Sequence, residues 1–474
     1  MLFPTISFAV FFAVVFPITW FLNPWNTWKK WFLVVASYYF YAFWSVKLML
    51  LLLGSSLGNY LAALLLGRMA DGPWRRLVLW AAVAANLGVL GVFKYYNFFV
   101  ASIIDGLGSL GLDRLAAGGE RLFIELPPVI AISFLTFHVL SYVIDVYDRK
   151  LKPTTDLVDI LLYVSFFPHL VAGPIVRAAK FLAQTTHPSS PADIKLAQSV
   201  FLIVGGLFKK VVIANYLSTD FVDNVFRNPT DFSSLDLLLG TYAYGLQIYC
   251  DFSAYTDIAI GIASLLGYEF PQNFNQPYRA LSVQDFWRRW HITLSTWLRD
   301  YLYIRALGGN RRGRVRTYVN LIVTMGLGGL WHGASGKFVV WGLLHGAALA
   351  VERALGLADA PRSRLGAALA WLITFHFVCF AWVFFRSPSL DAAVVYFAAM
   401  FSGAGWTTTM SPLVAAVFCL GALTQIIPAG WFAALQARYA AGPLALKIAV
   451  PFAAIFAIAV AAPGGIPPFI YFQF

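Results

Sequence analysis

The sequence predicts an all-α, polytopic membrane protein, and three observations carry that prediction. Hydrophobic residues make up 60% of the 474-residue chain and charged residues only 12%, against roughly a quarter charged in soluble domains. Mean hydropathy is correspondingly high, at +0.71. Apolar runs recur along the whole length at spacings suited to helices of roughly 20 residues, the length that a bilayer's hydrocarbon core demands. The remaining charges gather in alternating acidic and basic connections, the pattern by which Lys and Arg set orientation.

Taken in order, the apolar runs lie at residues 2–22, 31–44, 48–66, 77–104, 128–146, 157–176 and 200–217, then at 237–266, 318–331, 338–351, 365–385, 413–427 and 448–462. The first lacks a basic leader and a small-residue cleavage pattern, so it reads as a retained span. Lys29 and Lys30 follow it, which places the N-terminus outside. Between the runs ending at 217 and starting at 237 stand Asp220, Asp223, Asp231 and Asp236 with Arg227, a balance that suits the outer face. Residues 237–266 then cross to a basic block, residues 279–316. There Arg279, Arg288, Arg289, Arg299, Arg305, Arg311, Arg312, Arg314 and Arg316 are opposed only by Asp285 and Asp300. These helices and loop are expected at the cytoplasmic face.

The runs 318–331 and 338–351 are short for full spans, and Gly326, Gly328, Gly329, Gly333 and Gly336 crowd the turn. Residues 318–351 are therefore expected to form a re-entrant or tilted hairpin carrying His332 near its tip. Irregular backbone at membrane depth survives only where protein covers it or a watery cavity reaches it. His332 is accordingly expected in a protein-lined cavity open to the cytoplasm. Arg353, Arg362, Arg364, Arg438 and Lys447 continue the alternation and leave residues 469–474 as an exposed tail outside. No internal repeat is evident, and residues 1–474 read as a single membrane domain.

The net charge is +12, from 34 Lys plus Arg against 22 Asp plus Glu. In short loops such an excess sets orientation and contacts anionic headgroups, so the expected partner is the lipid bilayer and not nucleic acid. The basic block is also suited to holding an anionic substrate. Cys250, Cys379 and Cys419 stand in apolar stretches with no paired spacing and no cluster of ligands nearby. Neither a disulfide, a metal site nor a bound cofactor is expected.

Titratable groups near lipid are costly and mark function. A buried imidazole is biased toward its neutral, proton-accepting form, which makes His332, beside Trp331 and Gly333, a candidate general base. At helical spacing Trp287, His291 and Ser295 share one face while Arg288 and Arg299 fall elsewhere. Such a helix lies along the cytoplasmic mouth either as a phosphate-binding element or as an interfacial anchor. Lys209 and Lys210 interrupt one apolar run, and Asp251 and Asp257 stand in another with Tyr249 and Tyr255. Structural pairing is the favoured reading for those carboxylates, with shaping of the cavity as their possible role. His169, between Pro168 and Gly173, reads as part of a helix break. His138, His187, His345 and His376 have no supporting constellation.

The string from Asp285 to His291, the run Trp297-Leu298-Arg299-Asp300-Tyr301-Leu302-Tyr303, Gly308-Gly309-Asn310 and Gly329-Leu330-Trp331-His332-Gly333 resemble the membrane-bound O-acyltransferase family. Phe166-Phe167-Pro168-His169 with Ala172-Gly173-Pro174, Asp251-Phe252-Ser253 with Asp257, and Asn273-Phe274-Asn275-Gln276-Pro277-Tyr278 extend the likeness over nearly the whole chain. It is strongest to the bacterial branch of alginate O-acetylases, related to the teichoic acid D-alanyl transferases. The resemblance implies a ring of tilted helices around a central funnel, with re-entrant and interfacial helices. It implies that His332 is the catalytic histidine and His291 a second one, orienting or polarising a thioester carbonyl. Donor binding falls to Arg288, Arg289, Arg299 and Trp287, and cavity shaping to Asp251, Asp257, Asn273, Asn275 and Trp331.

By the same resemblance the donor is a cytoplasmic thioester, acetyl-CoA, used as a substrate. The partners are a periplasmic SGNH-type acetyltransferase and the exopolysaccharide synthesis machinery, in the inner membrane of a bacterium. The closing Phe469-Ile470-Tyr471-Phe472 resembles the tail of a small D-alanylation partner and offers Tyr471 as an acyl carrier. Two alternatives stay open: a D-alanyl transferase of the same family, and a polysaccharide transporter or channel without chemistry.

Overall fold

A computed structural model describes residues 1–125, 131–170, 173–357, 363–464 and 469. Among the described residues the regular structure is entirely helical, as the composition predicts. Four helical segments are long and apolar enough to cross a membrane: Val46–Arg68, Pro73–Ser109, Leu196–Arg227 and Arg364–Arg386. Chain contacts divide the protein into two compact units, Met1–Ser189 and Ser190–Phe474.

The first unit contains α1 (Ile6–Phe21), α2 (Asn26–Ala42), α3 (Val46–Arg68), α4 (Pro73–Leu90), α5 (Tyr96–Ser109), α6 (Ile132–Tyr147) and α7 (Leu157–Ser165). Capping residues fix several starts. The side chains of Thr5, Ser45 and Asp156 accept the backbone N–H groups of Phe8, Leu48 and Val158, which satisfies donors that have no partner in the first turn. A π-helical stretch, Gly91–Tyr95, joins α4 to α5. The apolar run 157–176 is not one helix, because the chain breaks after Ser165 into the short turn Phe167–Leu170 around Pro168.

Several polar groups inside this unit are paired, as burial favours. Asn59 and Asn86 exchange amide hydrogen bonds of 3.0 and 2.8 Å between α3 and α4. Lys30 meets Asp156 and Asp159 at 2.7 Å each. His138 and His169 stack with ring centroids 4.6 Å apart, a constellation that sequence spacing hid. The N–H of Val176 donates to His138 Nε2, so the His138 proton sits on Nδ1 and donates to the Phe134 carbonyl at 2.9 Å.

The second unit contains α8 (Leu196–Phe208), α9 (Ser234–Leu265), α10 (Val283–Arg289), α11 (Ile292–Trp297), α12 (Arg314–His332), α13 (Gly336–Ala354), α14 (Arg364–Arg386), α15 (Leu390–Met400), α16 (Pro412–Leu423), α17 (Ala429–Ala441) and α18 (Leu444–Val460). At 32 residues α9 is the backbone of the unit. Two of its carboxylates, Asp251 and Asp257, are paired across to the π-helical stretch Lys209–Ala214 that follows α8. Lys209 meets Asp257 at 2.5 Å and Lys210 meets Asp251 at 2.6 Å, the second pair almost fully buried.

Two sequence expectations change here. The single helix carrying Trp287, His291 and Ser295 on one face is instead two short helices, α10 and α11, broken at Trp290 and His291. The arms of the hairpin are also longer than the apolar runs suggest. Helices α12 and α13 have 19 residues each, about 28 Å at 1.5 Å per residue, close to the roughly 30 Å of a hydrocarbon core. Their polar first and last turns had masked that length. They meet at backbone contact: a Cβ on Gly329 would strike the Phe338 carbonyl, and one on Gly342 the Met325 carbonyl. Only glycine permits that approach.

Candidate active site

The site in the second unit begins with an irregular segment rather than a helix. Asn273, 1% exposed, lies on the stretch between α9 and α10, and this stretch runs alongside the break at His291. The N–H of Asn275 donates to the Arg289 carbonyl and the N–H of Ile292 to the Asn273 carbonyl, each at 2.9 Å. These two rungs hold the chain open between α10 and α11. They explain why a sequence with helical spacing does not continue as a helix.

The Asn273 side chain then completes the start of α11. Its Oδ1 accepts from the Thr293 N–H at 3.1 Å and from Thr293 Oγ1 at 2.8 Å. It thus serves as the capping group that α11 lacks in its own sequence, where His291 occupies the cap with φ +42°. Because a backbone N–H only donates, the atom facing it is the amide oxygen, and His291 Nδ1, 3.2 Å away, must donate to it. The remaining ring nitrogen, Nε2, is therefore a proton acceptor. Burial pushes the His291 pKa down to about 3, so the ring is neutral at physiological pH.

Aromatic rings enclose both histidines. Phe252 meets the His291 ring edge-on at 4.7 Å, Phe274 lies 6.4 Å away nearly parallel, and Trp331 stands at 6.1 Å. His332 is the last residue of α12 and is 3% exposed. Its ring lies edge-on to Trp331 at 5.0 Å, to Trp341 at 5.1 Å and to Phe385 at 5.3 Å. Trp331 touches both rings. The two histidines that the sequence singled out are thus brought together through one indole, although they come from α11's cap and α12's end.

Of the other expected site residues, Asp251 and Asp257 are paired as the sequence reading favoured, whereas Trp287 turns away from the mouth. Trp287 is buried, with its indole N–H donating to His345 Nδ1 at 3.3 Å, so it builds the wall behind the site and not the mouth. Arg289 pairs with Asp285 at 2.9 Å and Arg299 with Asp300 at 2.8 Å, while Arg288 is exposed. Asp251 and Asp257 are held in their lysine pairs, and the Asn275 side chain is exposed. His345, which the sequence left without company, is fully buried against Trp341 at 4.8 Å and Trp287 at 5.3 Å. The spacing of Trp341 and His345, one helical turn apart on α13, is the signal that could have pointed to it.

The exposed tail is corrected at its first residue. Phe469 is fully buried, 4.3 Å from Tyr255 and 5.8 Å from Phe252, because a phenylalanine gains by leaving water when an aromatic wall is within reach. Tyr471 lies outside the described residues.

Comparison with known proteins adds the family. The model described as MBOAT, membrane-bound O-acyltransferase family, matches residues 148–390. The chain is 43% identical to "Probable alginate O-acetylase AlgI" of Pseudomonas aeruginosa over 86% of its own length and 76% of that protein. It is 41% identical to "Peptidoglycan O-acetyltransferase" of Helicobacter pylori over 77% of its length and 72% of that protein. More distantly, it is 30% identical to "Teichoic acid D-alanyltransferase" of Bacillus subtilis over 54% of its length and 68% of that protein. The alternative of a transporter or channel without chemistry finds no support in these relatives. A helical chain with spans of membrane length, matched over half its residues by one family model and at this identity to several acyltransferases, belongs to the membrane-bound O-acyltransferase family.

Proposed function

We propose that this chain is an O-acetyltransferase of a bacterial inner membrane, moving acetyl groups from a cytoplasmic thioester donor outward for O-acetylation of an alginate-type exopolysaccharide. The Pseudomonas and Azotobacter relatives support that acceptor through their names. The Helicobacter relative makes peptidoglycan the competing one. The observation that carries the chemistry is the meeting of His291 and His332 at Trp331.

Transfer from a thioester to a hydroxyl needs a base and exclusion of water. The acceptor oxygen attacks the thioester carbonyl carbon while its proton passes to a ring nitrogen of His332. The carbon–sulfur bond then breaks, and the thiolate leaves with that proton. His291 presents Nε2 as an acceptor, so its proposed role is to orient the attacking hydroxyl, a donor, and not the thioester carbonyl. Polarising a carbonyl takes an N–H, and that proton faces Asn273. Acetyl-CoA is the proposed donor, a periplasmic SGNH-type transferase and the polysaccharide machinery the proposed partners, and Tyr471 the proposed intermediate carrier.

The test is His332→Ala in purified, reconstituted protein given acetyl-CoA and acceptor. Acetyl transfer should fall about a hundred- to ten-thousand-fold while the protein still inserts; undiminished transfer would sink the assignment. Supplying the donor as acetyl-CoA or as a loaded carrier protein separates the acetylase reading from the D-alanyl one.

A further inference from the structure

In the first unit the connections 68–76 and 147–153 bring together the end of α3, the start of α4 and the end of α6. Their charge is lopsided, with Arg68, Arg75, Arg76, Arg149, Lys150 and Lys152 against Asp71 and Asp148, an excess that assigns this end to the cytoplasmic face. Asp71, Gly72, Arg75, Arg76, Tyr147 and Arg149 line a cavity of about 510 Å³ there, within the range of roughly 300–1,000 Å³ typical of small-molecule sites. Arg75 is its fixed floor. Buried over the Tyr147 ring at 4.7 Å, it donates to the Leu66, Val146 and Tyr147 carbonyls at 3.1, 3.3 and 2.8 Å and to Asp71 at 2.7 Å. Arg149 is set beside it in the left-handed region, at φ +57°. Its loop is closed by the Lys150 N–H on the Asp145 carbonyl at 2.9 Å and by Pro153 packed on Gly67, where a Cβ would not fit. Negative charge is spent here: Asp71 is shared between Arg75 and Arg149, and Asp148 pairs with Lys150. Arg76 is exposed and forms no side-chain hydrogen bond or ion pair among the described residues. Gly72 at the cap of α4 gives that helix no side-chain acceptor, so the positive end of an 18-residue helix borders the same space.

We propose that this cavity seats the phosphate head of an anionic phospholipid from the cytoplasmic leaflet, with Arg76 and Arg149 on the phosphate oxygens and the open end of α4 beside them. Guanidinium forks match phosphate geometry, and basic pockets between the cytoplasmic ends of membrane helices lodge anionic headgroups. The surface leading away from the cavity favours a lipid over a soluble phosphate. Trp74, 71% exposed, is followed at helical spacing on α4 by Leu77 and Trp80, both also exposed. An outward tryptophan at the start of a span marks headgroup depth, and the apolar positions beyond it offer a wall for acyl chains. The bound head ties the start of α4 to the loop after α6, so it stabilises the first unit in proportion to its occupancy. The site stands apart from the acetyl-transfer reading, whose two histidines lie in the second unit.

The experiment is native mass spectrometry of the full-length protein in detergent, titrated with dioleoylphosphatidylglycerol and, separately, with dioleoylphosphatidylcholine. Phosphatidylglycerol should be retained at one tight site, and phosphatidylcholine, whose head carries no net charge, about tenfold more weakly. Replacing both cavity arginines, Arg76→Gln with Arg149→Gln, should weaken phosphatidylglycerol about tenfold or more. Arg312→Gln, in the basic block of the second unit, should leave retention unchanged. Arg76→Gln alone, at an exposed position where folding is not at stake, should still weaken it severalfold. Equal retention of the two lipids, an equal loss in Arg312→Gln, or retention indifferent to the cavity substitutions overturns the proposal. Inorganic phosphate that displaces the lipid at equal concentration assigns the cavity to a soluble anion and overturns the lipid reading.

Discussion

His291 occupies the left-handed backbone region, at φ +42°, a conformation that costs an L-residue roughly 1–2 kcal/mol. It is held there by the Asn273 amide and the two backbone rungs beside it. Removing that amide in Asn273→Ala leaves the buried Thr293 N–H without its acceptor, which should cost about 1–3 kcal/mol. Acetyl transfer should drop in the same variant, and Asn273→Asp, which keeps an oxygen in place, should restore part of it. Equal activity in the alanine variant and the wild type would show that His291 needs no such holder. Protonation follows from the same burial. With burial lowering its pKa in the folded chain to about 3 from the ordinary 6.5 of an imidazole, His291 binds a proton between those values only when the chain unfolds. Its contribution to stability is therefore complete above about pH 6.5 and declines as pH falls toward 3. The melting temperature in detergent should fall between pH 7.5 and pH 5, and fall less in His291→Gln.

Helices α12 and α13 show what close packing does for His332. Gly342 lets the Met325 carbonyl of α12 approach α13, and Gly329 does the same for the Phe338 carbonyl. A methyl group at Gly342 must push backbone rather than a flexible side chain, at a cost of about 1–3 kcal/mol. Gly342→Ala should therefore melt earlier and lose transfer activity, because His332 ends the displaced helix. Gly336→Ala, whose added methyl meets only Leu390 at an ordinary 3.6 Å, should behave as wild type. The pair of Lys210 and Asp251 makes a second element-scale case. Either single substitution to an apolar residue strands a buried charge and should cost about 3–5 kcal/mol, while replacing both with well-packed apolar residues should recover most of that. A double variant as unstable as the singles would contradict this account.

For the whole molecule the governing prediction is orientation. Acidic residues around Asn228 and the arginines around Arg312 are assigned to opposite faces. In a background with Cys419 replaced by Ser, since that thiol is exposed whereas Cys250 and Cys379 are buried, a cysteine at Asn228 should react with an impermeant maleimide on intact cells. A cysteine at Arg312 should react only after lysis, and labelling in the reverse order would invert the topology and the side from which donor arrives.

Composition and apolar runs determined the helical membrane class, because burial in lipid demands long apolar helices whatever their partners. The motifs around His291 and His332 determined the family and singled out the two histidines as candidates, because those residue strings are local. Three features were decided only by tertiary structure. The helix through Trp287 and His291 broke because Asn273, distant along the chain, supplies better hydrogen bonds than helix continuation does. Trp287 turned inward because His345 on α13 accepts its N–H. The acceptor nitrogen of His291 faces away from Asn273 because only one tautomer satisfies that amide oxygen. Each depends on a partner at long sequence separation, which periodicity along one segment does not encode.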